Sequence, residues 1–151
     1  MKRMTIIITA ALAALLCSSC GEFYDGNNIL CIYPWQLDST ITYNQLGEQI
    51  ARKDYGAGEE ILEFEPVGAW LFTSTQYNDN EGGNWSSEQI PQKGPFVINF
   101  VSYNPGYFIK EGHSGEDYRA NISEDGRNLK ILHAHTDEDE MTIQYFTQIS
   151  E

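Results

Sequence analysis

The feature that most constrains this chain is a period of two in its hydrophobicity, sustained in short runs from Trp35 onward. In WQLDSTITY, Trp35, Leu37, Ile41 and Tyr43 fall on one side and Gln36, Asp38, Thr40 and Thr42 on the other. Successive side chains of a strand point to opposite faces, so the pattern specifies a strand with one face in a core and one in water. Shorter runs repeat it over 59–64, 69–77, 96–103, 107–111, 117–122, 129–135 and 141–149, which makes eight expected strands.

Turn residues punctuate these runs. Glu65-Pro66-Val67-Gly68 suits a type I turn, Ser123-Glu124-Asp125-Gly126 a further turn, and Asn104-Pro105-Gly106 has Pro then Gly where a type II turn wants them. Leu46 and Ile50, four apart in QLGEQIARK, read as a short helix or loop over 45–53, weakened by Gly47. The polar stretch 78–95 reads as one long loop. Consecutive strands joined by short turns imply an all-β, antiparallel up-and-down meander. Eight of them suffice to close into a barrel without exposed edges, whose interior is filled by side chains or holds one small ligand. Outward Gln36, Asp38, Arg119, Asn121 and Lys130 exclude a barrel whose outer face meets lipid, which leaves a soluble barrel or a closely related sandwich.

The N-terminus has a different logic. Lys2 and Arg3 precede an apolar run over 5–16, too short to span a bilayer but suited to an export leader. Ser18 and Ser19 stand directly before Cys20 and resemble a bacterial lipobox, in which cleavage before a diacylated cysteine leaves the chain anchored by lipid. Cys17 is the poorer candidate because bulky Leu16 precedes it. The reading is therefore a leader over 1–19, lipid attachment at Cys20, a tether over 20–30 and one domain over 31–151. The alternative is an ordinary secretory leader with Cys20 free or bonded to Cys31. Cys31, between Leu30 and Ile32, suits a small buried hydrophobe.

Loss of Lys2 and Arg3 with the leader leaves 7 basic against 22 acidic residues, a net charge of −15. Affinity for phosphate backbones comes from clustered Lys and Arg, so nucleic acid is not an expected partner. The membrane is reached through the N-terminal lipid, not through surface charge.

With Trp35 leading, the hairpin at 66–68 and the closing pair YRANISEDGRNLKIL and MTIQYFTQIS, the chain resembles the lipocalin-like lipoproteins of Bacteroidetes from Trp35 onward. The resemblance implies an eight-stranded barrel at the outer membrane that binds a small hydrophobic or amphipathic ligand and catalyses nothing. Trp70, Phe72, Tyr118, His133 and Tyr145 would then line the cavity, although each suits a packed core equally well. The competing expectation is a glycan- or protein-interaction module with a filled barrel, supported by Trp85 among Asn, Gly and Ser, where an aromatic ring can stack on a sugar or cap the barrel end.

LHAHTDEDE places His133 and His135 on one strand face, ahead of the acidic run from Asp137 to Glu140. Two such imidazoles chelate zinc or copper if a neighbouring strand adds a third ligand; the acidic run alone suits a solvated turn. Ser, His and Asp fall in no nucleophile-elbow pattern, and there is no Gly-rich phosphate loop. No cofactor and no catalytic residues are expected.

Overall fold

A computed structural model describes residues 28–134 and 139–150; the leader, Cys20, His135, Asp137 and Glu138 lie outside them. Among the described residues nine strands follow in order: β1 (Trp35–Tyr43), β2 (Gln49–Asp54), β3 (Glu60–Phe64), β4 (Ala69–Ser74), β5 (Asp79–Ser86), β6 (Gly94–Ser102), β7 (Glu116–Ile122), β8 (Asn128–Ala134) and β9 (Met141–Gln148). Each of β3 to β9 pairs antiparallel with the next, and β9 returns to β1. The far edge of β1 is shared: Trp35 and Gln36 pair with β3, while the stretch from Ser39 to Tyr43 pairs with β2. Eight strands thus close a meander barrel, and β2 is a ninth added outside it.

Two expected turns form as their residues dictate. Gly68 N–H bonds Glu65 C=O at 3.1 Å and Gly126 N–H bonds Ser123 C=O at 2.9 Å, both glycines taking positive φ. Other expectations need correction. Among the described residues there is no helix; Gly47 (φ 79°) turns the chain at 45–48 and the rest of the expected helix or loop becomes β2, exposed throughout. The expected long loop contains β5. Its signal is hidden because Gly82 and Gly83 replace side chains where backbones approach closely; a Cβ on Gly83 would stand 1.7 Å from Val101 O. Conversely 107–111 is no strand. Gly106 avoids the left-handed φ a type II turn needs, and the segment 103–115 runs over the barrel end instead.

A β-bulge reshapes β1. Leu37 pairs with Phe146 but Ser39 with Tyr145 and Thr40 with Gln144, so one extra residue sits at Asp38. Beyond it the faces exchange. Thr40 and Thr42, which alternation assigns to solvent, share the inner face with Gln144 and Thr142, and Ile41 pairs with Ile143 on the outer face.

The interior is graded from end to end. At the end where β1 begins, Leu30 is buried and accepts a hydrogen bond from Trp35 Nε1 at 3.2 Å, so Asn28 and Leu30, within the expected tether, already pack with the barrel. Phe64, Trp85, Phe96, Ile122, Leu129 and Phe146 fill that apolar half. At the opposite end the buried side chains turn polar: Glu60, Ser74, Glu81, Ser102 and Gln144.

Candidate functional site

Phe108 closes the polar end. It descends from the β6–β7 segment into the barrel and is 2% exposed. Its ring stacks on Phe72 at 5.3 Å and meets Trp70, Phe100 and His133 at 5.2, 5.1 and 5.7 Å. Glu81 explains how a loop is held so deeply. Its carboxylate, fully buried, accepts hydrogen bonds from the backbone N–H groups of Tyr107 (2.9 Å), Phe108 (2.5 Å) and Ile109 (3.0 Å) and from Ser102 Oγ (2.8 Å). A charged acceptor with four donors satisfies both the buried charge and backbone that has no ladder to join.

Outside Phe108 lies a mouth formed by two adjoining clefts of about 350 and about 150 Å³, both bordered by Tyr55, Gly106, Tyr107 and Gln144. Tyr77 and Tyr107 stack at 4.9 Å and remain about half exposed. Tyr107 OH donates to Asp79 at 3.2 Å; desolvation, then that carboxylate, hold the phenol above its ordinary pKa. On the facing wall Thr40 and Tyr55 share a hydrogen bond at 3.1 Å, as do Thr42 and Thr142. Glu60 lies deeper, accepting from Ser74 Oγ at 2.8 Å; burial raises its pKa against the lowering effects of Ser74 and Lys53. Exposed aromatic faces beside hydroxyls and a carboxylate suit a polar ligand with flat or polyhydroxylated surfaces.

A larger depression of about 470 Å³ lies at the other end among Glu88, Gln89, Val97 and Arg119. It is an open trough over outward-facing positions of β6 and β7 and has no exposed aromatic platform, so the mouth is the better candidate.

The residues expected to line a cavity divide. Trp70, Phe72, Tyr118 and His133 do face the interior and gather round Phe108. Tyr118 and His133 lie 4.8 Å apart, and Tyr118, its pKa raised by burial and then by Glu116 and Glu81, bonds His113 O at 3.2 Å. His133 Nε2 donates to Gln144 Oε1 at 2.6 Å. Tyr145 is a correction: Gln144 and Phe146 on either side of it are buried, and its ring lies on the outer face under the Lys130 ammonium at 5.4 Å. Trp85 is the second correction. It is 2% exposed on β5, edge-on to Phe64 at 5.7 Å, with Nε1 bonded to Glu65 O at 3.4 Å, and offers no ring to a partner. His135 lies outside the described residues, and among those residues no three His, Cys, Asp or Glu side chains converge as a metal site.

Sequence reasoning missed Tyr55, Tyr77, Tyr107 and Glu81, and could have found Glu60. In EILEF it shares a face with Leu62 and Phe64, so alternation already directs a carboxylate inward. Comparison with protein-family models, curated proteins and solved structures finds no match, and the chain is placed by its geometry, as an eight-stranded antiparallel barrel consistent with a lipocalin-like fold.

Proposed function

We propose that this chain is a non-catalytic, lipid-anchored cell-envelope module that recognises a glycan at the tyrosine-lined mouth of a filled barrel. The observation that carries this reading is Phe108, which occupies the space a deep apolar ligand would need, while Tyr77 and Tyr107 are left at the surface and half-buried Tyr55 borders the same clefts. A filled interior favours this module over a cup for a hydrophobic ligand, since the room that remains is shallow and polar.

The anchor is part of the proposal. Attachment at Cys20 in the outer membrane, in the manner of Bacteroidetes lipoproteins, rests on the lipobox-like residues. Geometry makes it compatible with recognition, because Asn28 and Trp35 lie at the floor and Thr42 at the mouth, seven residues or roughly 23 Å along β1. Attachment from the floor end is consistent with a mouth that faces away from the bilayer. Labelled palmitate should enter the protein and be lost in Cys20→Ser; no incorporation in the native host removes the anchor.

Screening immobilised glycans with the wild type and with a Tyr77→Ala, Tyr107→Ala double variant tests recognition. Binding by the wild type, lost in a variant that melts within a few degrees of it, is the expected result. Binding that survives in the variant, or no binding by the wild type, defeats the proposal.

A further inference from the structure

The mouth already holds a cation of the chain's own. Lys53, on the exposed strand β2, projects its ammonium to 5.0 Å from the Tyr55 ring centre and 5.9 Å from that of Tyr77, and donates to Gln76 Oε1 at 2.9 Å. Aromatic faces carry negative potential, so two rings beside one ammonium form a cation site. Glu60 borders the same cleft and its carboxyl feels the Lys53 charge.

The occupant is loosely held. Lys53 is exposed, and the hydrogen bond its ammonium makes among the described residues goes to exposed Gln76. Contacts of that kind are weak in water, and a lysine stem can swing its ammonium into solvent. What it would leave behind is a site bordered by Tyr55, Tyr77 and Glu60 and shaped for a positive group. The whole chain reinforces this choice, because a formal charge of −13 raises the local concentration of cationic ligands and repels anionic ones.

We infer that the mouth takes a sugar carrying a protonated amine, whose ammonium displaces that of Lys53 beside Tyr55 and Tyr77. This inference rests on the glycan reading of the same mouth. It adds the charge of the ligand and the group that the ligand must compete with.

Titration calorimetry on the full chain with two probes separates the possibilities: a glucosamine trimer with free amines, and the same trimer fully N-acetylated, both at about pH 6 where the amines are charged. The wild type should bind the free-amine trimer about fivefold or more tightly than the acetylated one, the discrimination expected of cation–π contact. Lys53→Met keeps most of the stem, removes the competing charge, and should tighten the free-amine trimer further. Equal binding, or preference for the acetylated trimer, that is abolished by Tyr77→Ala and Tyr107→Ala overturns the amine inference and leaves the mouth as a glycan site. Weaker binding of the free-amine trimer by Lys53→Met overturns the displacement. No binding of either trimer by wild type or variant overturns the inference together with the reading beneath it.

Discussion

Phe108→Ala is the perturbation that asks most of this structure. The ring is 2% exposed and has four aromatic neighbours at 5.1 to 5.7 Å, with Phe146 at 6.5 Å. Truncating a buried Phe costs about 3–5 kcal/mol when the site cannot collapse. Collapse is hindered here because Glu81 pins the backbone on both sides of the residue, through Tyr107 N–H and Ile109 N–H. About 4 kcal/mol is therefore expected. Unfolding entropy of about 2.1 cal/mol/K per residue, over a domain of roughly 120 residues, converts this to a fall in Tm of about 15 °C. Urea denaturation followed by tryptophan emission gives the free energy, since Trp70 lies 5.2 Å from Phe108. The vacated space should also bind benzene or a similar small apolar probe, as dry engineered cavities do. A loss below about 1 kcal/mol with no probe binding would mean that Phe108 does not fill the barrel.

Other substitutions test separate parts of the account. Glu81→Gln leaves one oxygen where two accept four hydrogen bonds and removes the charge; about 2–3 kcal/mol should be lost in the same urea assay. Gly83→Ala drives a Cβ to 1.7 Å from Val101 O and should cost about 3 kcal/mol or more, whereas Gly82→Ala, 3.1 Å from Trp70 O, should be milder; equal effects refute the close approach of β5 and β6. Burial makes ionised Glu60 costlier in the folded state than in the unfolded chain, so the native protein holds that proton to higher pH. Its contribution to stability must then fall as pH rises from 4.5 to the native pKa, and level off above it. Carbon-detected NMR should show Glu60 titrating above 4.5, and higher still in Ser74→Ala, which removes a lowering hydrogen bond; a depressed value contradicts the buried placement.

Much of the barrel is legible because alternation and turn chemistry are local. Leu62 and Phe64, the turn at Gly68, and Leu129 with Ile131 each announce their place within a few residues. What escapes the eye is set by distant partners. β5 has almost no apolar rhythm, as Gly82 and Gly83 answer to the backbone of β4 and β6 rather than to their own neighbours. The bulge at Asp38 exchanges the faces of β1 in a way that only the register with β9 reveals, which is why Thr40 and Thr42 read as outward. FIK in the segment after Gly106 has the composition of a strand end, yet Glu81, 27 positions earlier than Phe108, captures its amides. The candidate site suffered most, since the mouth is assembled from the ends of several strands. Trp85 shows the reverse error: polar neighbours suggested exposure, and the inward parity of β5 buries it.

Amide hydrogen exchange at Phe108 and Ile109 tests most directly the claim that the barrel is closed from within by its own β6–β7 segment. Bound to a fully buried carboxylate, these amides should exchange as slowly as those of core strand residues such as Ile98 and Ile131. Exchange at the rate of solvent-facing loop amides would contradict the claim and reopen the centre of the barrel to a ligand.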